Sequence, residues 1–342
     1  MSIRTVVIAV VVLAASSAAA QQQTVGAARA SANVGKAGAP SAPPRTPWGD
    51  PDLQGVWTGS TLTPLERPNE FAGKEFLTEA EAAALERRAA DRPVDVPPRP
   101  GDPGTYNQVW FDPGMKVVPT RRTSLVIDPP DGRIPFTPAG RQHTAASSAR
   151  YGVGPYESHV DLDTGERCLT DGVPIWYSGY NNNYQIVQTR EYLVIVHELY
   201  RQLRIIPLDG RPSGTLPQWL GNGRGRWEGA TLVVTSTGFA DKSRYWWATA
   251  WRAARPTLRL VERFTRVDAE TIDYQFTMED PTMFTRPWTA AFPLTTNQAA
   301  RGVTEGPLYE YACHEGNYAM ANILRGARMQ ERTGGTSRPD SR

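Results

Sequence analysis

Leu258-Arg-Leu-Val-Glu-Arg-Phe-Thr-Arg-Val267, then Asp268-Ala269-Glu270, then Thr271-Ile-Asp-Tyr-Gln-Phe-Thr-Met278 is the stretch that decides the fold. Side chains in a strand repeat every two residues. Ile272, Tyr274, Phe276 and Met278 therefore share one face, and the run before them alternates in the same way. Three polar or small residues between two alternating runs predict a turn, so the unit is an antiparallel hairpin.

The pattern continues on both sides. Ser124–Asp128 precedes Pro-Pro-Asp-Gly, and Arg133–Thr137 follows it. Tyr184–Thr189 and Tyr192–Val196 are split by Arg190-Glu191, a tight hairpin. Leu203–Leu208 ends at Asp209-Gly210, and Gly225–Trp227 meets Thr231–Thr235 across Glu228-Gly229. Trp288–Pro293 adds a last strand. These nine or ten strands join mostly as neighbours, and there is no βαβ alternation or glycine-rich phosphate loop. The expectation is an all-β protein, an antiparallel β-barrel or curved β-sandwich of lipocalin-like form with one or two peripheral helices. One helix runs from Phe76 to Asp91: Thr78 and Glu81 form a capping box, and the Pro-rich run from Pro93 to Pro103 stops it. A second spans Tyr318–Ala327.

At the N-terminus, Arg4, the apolar run Val6–Ala15 and Ala18-Ala19-Ala20 read as a signal peptide over residues 1–20. About ten apolar residues fall short of the roughly 20 that span a bilayer. The expectation is a periplasmic or secreted protein with no integral membrane segment after cleavage. Residues 21–45, rich in Ala, Gly, Ser, Gln and Pro, have little to bury and read as a disordered leader. Residues 46–329 then form a single β-rich domain, and 330–342 a flexible tail.

The formal charge is +2 over 342 residues with no long run of one sign, which disfavours a nucleic-acid partner. Two cysteines, Cys168 and Cys313, pair most simply as a disulfide in an exported chain, with two separate buried thiols as the other reading. Neither has a second Cys at zinc-ligand spacing, and the H-E-x-x-H signature is absent, so no metal or other cofactor is expected.

Candidate site residues come from four places. His197-Glu198 and His314-Glu315 are imidazole–carboxylate pairs, the materials of an acid–base site. Neighbours on a strand point to opposite faces, so His197 and Glu198 meet one pocket only if the chain turns there. Tyr309-Glu-Tyr-Ala-Cys-His-Glu-Gly-Asn-Tyr318 concentrates polar groups beside a covalent staple; Gly316 can bend the chain and Asn317 can cap the next helix. It is either a site or a disulfide corner. Tyr180-Asn-Asn-Asn-Tyr184 offers Asn182, and the approach to the Trp227-Glu228 hairpin adds Trp227 and Glu228; Arg201 follows the first His-Glu pair. Trp246, Trp247 and Trp251 lie close together and can stack on a ligand or fill a core.

The blocks YNNNYQIVQT, RIIPLDGRP, GRWEGATLVV, LVERFTRVDAETIDYQFTMEDP, TRPWTAAFPL and YEYACHEGNYAMANILRGAR resemble a widespread, uncharacterised family of exported bacterial proteins, over about Trp48 to Arg328. The resemblance implies a common fold and origin and brings no catalytic residues. The strand run and the Trp-Glu-Gly hairpin are also similar to lipocalin-like ligand-binding domains. The expected function is an exported small-molecule-binding or accessory protein of the cell envelope, for a sugar or aromatic ligand. Asn182, Arg201, Trp227, Glu228 and Asn317 are its candidate contacts. The alternative is a periplasmic hydrolase or lyase using His314, Glu315 and His197. A structural envelope protein is a third reading.

Intact-mass measurement of the exported protein should give a chain that starts at Gln21; a chain retaining Met1 contradicts the export reading.

Overall fold

The computed structural model describes residues 42–92 and 111–333, apart from 151–153, 155, 178, 244, 246, 253–254 and 316. The expected signal peptide, nearly all of the leader, most of the Pro-rich run, Trp246, the Gly316 bend and the end of the tail lie outside the described residues.

The hairpin of the opening sequence forms as two long strands, β8 (Arg259–Arg266) and β9 (Thr271–Glu279), antiparallel with Glu262 opposite Phe276 and Phe264 opposite Tyr274. On β9 the four alternate residues Ile272, Tyr274, Phe276 and Met278 are all buried, as the period of two requires. Strand β10 (Trp288–Thr295) pairs with β9: Phe276 faces the small Ala290, and Tyr274 faces Phe292, edge to face with ring centroids 5.3 Å apart.

Seven more strands complete the sheet: β1 (Gly55–Thr58), β2 (Val126–Asp128), β3 (Asn183–Gln188), β4 (Tyr192–His197), β5 (Gln202–Pro207), β6 (Asn222–Glu228) and β7 (Thr231–Thr237). The spatial order is β5-β4-β3-β1-β10-β9-β8-β7-β6, with β2 beside β10, and every pairing between these strands is antiparallel. The result is a nearly closed barrel with β5 and β6 facing each other across a seam. The protein is all-β, as expected, with three helices among the described residues.

Two expected elements change. Arg133–Thr137 is not a strand. Pro135 has no N–H for a ladder, and the Ile134 N–H goes instead to Glu66 Oε1 at 2.8 Å, so the segment is a strap held to the loop before β10 by a single bridge, Phe136 to Phe284, and by bonds from Thr285 N–H to Pro135 O and from Thr137 N–H to Met283 O, each 2.8 Å. The last helix, α3 (Ala319–Arg332), runs past Gln330, where the flexible tail was expected to begin.

Helix α1 (Glu79–Ala90) starts on the anticipated capping box: Glu81 N–H donates to Thr78 Oγ1 at 3.2 Å and Thr78 N–H to Glu81 Oε2 at 2.8 Å. Helix α2 (Pro138–Arg150) was not anticipated, because Ala-Gly-Arg-Gln-His-Thr-Ala-Ala-Ser-Ser has no apolar stripe. Thr137 Oγ1 caps it by accepting from Gly140 N–H at 2.9 Å. At Gly140 a Cβ would come within 2.2 Å of the Met283 carbonyl oxygen, so only glycine lets the helix lie this close.

Side chains fill the barrel. Trp57, Phe264, Tyr274, Phe276, Trp288 and Phe292 are buried in one continuous core, with Trp176 and Trp251 packed against it. Trp176 and Trp251 sit edge to face with ring centroids 5.2 Å apart. Trp251 is thus core, the bland one of its two readings.

Alternation also turns Glu262 inward, where its side chain is fully buried. Arg204 of β5 meets it with two hydrogen bonds, Nη1 to Oε1 at 3.0 Å and Nη2 to Oε2 at 2.5 Å, and Tyr274 Oη donates to Oε1 at 2.8 Å. Removing one partner of such a pair strands a charge in low dielectric and costs about 3–5 kcal/mol. Glu262→Gln should lower unfolding stability in urea by about that much. The double variant Glu262→Leu with Arg204→Met should lose less than the single one. A double variant that loses the sum of both singles contradicts this account.

Candidate functional site

Cys168 and Cys313 are bonded, with Cα atoms 5.6 Å apart across 145 positions of sequence. The bond joins the loop after Asp163 to the segment that leads into α3. A second tie comes from Glu198, whose side chain is buried. It accepts from Tyr309 N–H at 2.7 Å and from Asn183 N–H at 3.2 Å. The chain does turn at Glu198, which has helical backbone angles. His197 and Glu198 are therefore both buried, but they serve different partners.

Between these ties lies a groove of about 480 Å³. Tyr180, Tyr200 and Tyr311 line it together with Glu166, Asn317 and Met320. Tyr311 is edge-on to Tyr200 at 4.9 Å and parallel to Tyr180 at 6.4 Å. Asn317 Nδ2 donates to Cys168 Sγ at 3.2 Å, and its Oδ1 accepts from Ala319 N–H at 3.1 Å, a local turn just before α3; the N-cap position itself falls to Tyr318, one residue after the anticipated cap, with no side-chain cap bond.

The backbone around the groove is strained. Cys168, Asn181, Tyr200 and Arg201 all have positive φ, at 55°, 50°, 59° and 47°. Such residues cost on the order of 1–3 kcal/mol each and persist only where surrounding contacts over-determine them. Four of the five non-glycine residues of this kind among the described residues surround this one groove.

Burial pushes the Tyr200 phenol well up, and the neighbouring Tyr311 adds to it. Burial also raises Asp163 to about 6, against the hydrogen bond it accepts from Glu166 N–H at 2.7 Å. Asp163 Oδ1 and the Tyr200 hydroxyl oxygen approach the same point beside Gly165, 3.2 Å and 2.6 Å from where a Cβ would stand. Gly165 leaves room for both. Asp163 and Tyr200 were not anticipated, since neither a left-handed tyrosine nor a buried loop aspartate has a local sequence signal.

The other anticipated residues do not converge. His314 and Glu315 are exposed on the turn after Cys313, and neither lines the groove; the bend that would bring them in depended on Gly316. Glu228 is on the outer surface of the hairpin, paired with Arg226 at 2.5 Å and Arg263 at 3.0 Å. Trp227 packs half-buried against the core. Asn182 is buried and donates from Nδ2 to the Asp112 carbonyl at 2.9 Å. Arg201 pairs with Glu310 at the barrel rim.

His197 is inside the barrel. Its ring stacks on Tyr184, 4.0 Å away and within 8° of parallel, and it lines a closed crevice with Gln202 and Arg204. Neither ring nitrogen has a well-aligned hydrogen bond; the Asn181 backbone lies alongside. Burial, then the charge of Arg252, lowers its pKa to about 3. A neutral, enclosed imidazole has no path to a substrate proton.

Unfolded His197 would take a proton near pH 6.5, and the folded protein refuses it down to about 3. Its contribution to stability is therefore complete above pH 6.5 and is lost as the pH falls through that window. His197→Phe, which keeps the stack, should flatten the loss of stability between pH 6.5 and 4 by up to about 1.4 kcal/mol per pH unit. Asp163 works in the opposite sense but equally in both proteins. Equal slopes in urea titrations of variant and parent contradict the assignment.

No protein-family model, no curated protein and no solved structure matches this chain.

Proposed function

We propose that the protein is an exported small-molecule-binding protein of the cell envelope, and that the tyrosine groove beside the disulfide takes its ligand. The observation that carries the reading is the convergence of Tyr180, Tyr200 and Tyr311 on one groove whose backbone is held in strained form by a disulfide and a buried carboxylate. Its volume falls in the range of small-molecule sites, roughly 300–1,000 Å³.

Phenol rings present flat apolar faces, and their rims carry hydroxyls. Glu166 and Asn317 add a carboxylate and a carboxamide at the edge. This chemistry suits a ligand with one flat apolar face and a polar perimeter, a sugar ring or a hydroxylated aromatic. Holding the walls rigid reduces the ordering cost of binding. The hydrolase or lyase alternative has less support, because His314 and Glu315 stand outside the groove and His197 is sealed in the barrel.

Calorimetry with a panel of mono- and disaccharides and hydroxylated aromatic acids should find a saturable ligand. Tyr311→Ala should weaken it by about tenfold or more, a loss of ~1.4 kcal/mol. His314→Ala should bind like the parent. A panel with no saturable member, or a ligand indifferent to Tyr311→Ala, overturns the reading.

A further inference from the structure

The disulfide is a covalent link between the two walls of the tyrosine groove. Tyr180 and Tyr200 belong to the barrel side, and Tyr311, Asn317 and Met320 to the arm that enters α3. The chain has no other cysteine. The two sulfurs are not equivalent. Cys313 is half-buried and lines the groove, whereas Cys168 is 8% exposed and does not line it.

In thiol–disulfide exchange a thiolate attacks one sulfur and expels the other as a thiolate. The step is faster when the leaving thiolate is stabilised, and a hydrogen bond donated to the charged form stabilises it. Asn317 Nδ2 donates such a bond to Cys168 Sγ, at 3.2 Å. The donor thus stands on the sulfur placed to leave. The groove opens on the residue placed to be attacked, Cys313.

The supports of the two sulfurs differ as well. Cys168 sits in a loop that closes on itself. Its N–H donates to Gly165 O at 2.8 Å, Leu169 N–H to Thr164 O at 2.9 Å, and Glu166 N–H to Asp163 Oδ1 at 2.7 Å. Cys168 is left-handed, φ 55°, a conformation that a residue with a side chain keeps only under constraint. Cys313 stands on an arm whose helix, α3, has no buried residue. That arm is tied before Cys313, by Glu198 to Tyr309 N–H. It is tied again far beyond it, where Arg328 donates to the Tyr156 and Glu157 carbonyls at 3.2 Å. Between those ties the arm is fixed to the Cys168 loop by the disulfide and by Asn317.

We propose that the Cys168–Cys313 bond is a site of thiol–disulfide exchange with a small thiol that enters the groove, and that the exchange releases the arm. The thiol gives its proton to solvent, and its sulfur bonds to Cys313 Sγ. The Cys168–Cys313 bond breaks, and Cys168 leaves as a thiolate held by Asn317. One disulfide is consumed and one is formed, so this step needs no other oxidant or reductant. A second thiol then attacks the sulfur of the bound one and frees Cys313. The two thiols depart as their own disulfide, and the two cysteines hold the two electrons given up and take protons from solvent. Tyr311 is then no longer stapled against Tyr180 and Tyr200. The inference goes beyond reversible binding and does not rest on the sugar or aromatic ligand proposed above, because its test reads a covalent product.

The probe is 2-mercaptoethanol, added to the full oxidised chain without denaturant and quenched at early times with excess N-ethylmaleimide. Peptide mapping should find mercaptoethanol on Cys313 and maleimide on Cys168. The rate should rise in proportion to the thiol concentration. Asn317→Leu, which keeps the volume and removes the donor, should slow the exchange at least tenfold. If Asn317 served only to hold the arm, the same variant would react faster, because a looser arm exposes the bond. After full reduction, amide hydrogen exchange should speed at least tenfold at Leu324 and Ala327 of α3 and stay unchanged in β8 and β9. The proposal is overturned if mercaptoethanol is found on Cys168, or if the rate is independent of thiol concentration and so limited by unfolding. It is equally overturned if Asn317→Leu reacts as fast as the parent or faster, if the α3 amides do not respond to reduction, or if β8 and β9 lose protection together with them.

Discussion

Glu262 sits on β8 where the alternation of the strand leaves no choice but to turn it into the barrel. A buried carboxylate without a partner is too costly to keep. Arg204, from the far edge of the sheet, reaches it with two hydrogen bonds, and Tyr274 supplies a third. Tyr274 in turn accepts from Ile175 N–H at 3.0 Å, which pins the loop over the barrel. The pair thus ties β5 to β8 across the interior. The pair draws the β5 edge over the interior toward β8, although no main-chain ladder joins β5 to the opposite edge, β6.

With the interior taken up by aromatic rings and this ion pair, the barrel has no central room for a ligand of the lipocalin kind. The groove proposed for a ligand lies instead at the rim. There the loop carrying Cys168, the turn at Glu198 to Arg201 and the segment entering α3 are forced together by a disulfide and a buried carboxylate. Four residues in the left-handed region are tolerated because these ties over-determine them. The same ties bring three tyrosines to one groove. Strain, staple and aromatic convergence are therefore one arrangement, set on a filled and rigid support.

The interior also explains why His197 is poorly placed for general-base chemistry. It is held by stacking on Tyr184 and by the walls of a closed crevice, and its neutrality follows from enclosure and from Arg252 nearby. A second buried pair, Arg252 with Asp171 at 3.1 Å, continues the polar spine toward the loop before the barrel mouth. Arg252 gives Asp171 two hydrogen bonds, from Nη1 and Nη2, while its Nε is left without a partner. The exposed ion pairs at the rim, such as Arg201 with Glu310, add little by comparison.

Local pattern was enough for much of the fold. Period-two alternation in Leu258–Met278, the two-residue turn at Arg190-Glu191 and the glycine signal at Gly229 identify the hairpins, because strand faces and turn chemistry are properties of neighbouring residues; the second turn sits one residue later than Glu228-Gly229, at Gly229-Ala230, since Glu228 pairs with Thr231. Thr78 and Glu81 mark the start of α1 for the same reason. The even pair of cysteines pointed to the bond that the structure contains. What alternation cannot say is which distant side chain answers an inward charge, so Arg204 as the partner of Glu262 emerged only from the closed sheet. Nor can sequence spacing show that Tyr200, left-handed and remote from Tyr311 along the chain, would stand beside it. His314 and Glu315 were dense in polar chemistry, yet density along a chain does not fix direction. The disulfide holds Cys313, and the turn that follows carries both side chains outward, while Tyr311 and Asn317 on either side face the groove. That division was decided by the tertiary structure, because it depends on what the chain is tied to and not on the order of its residues.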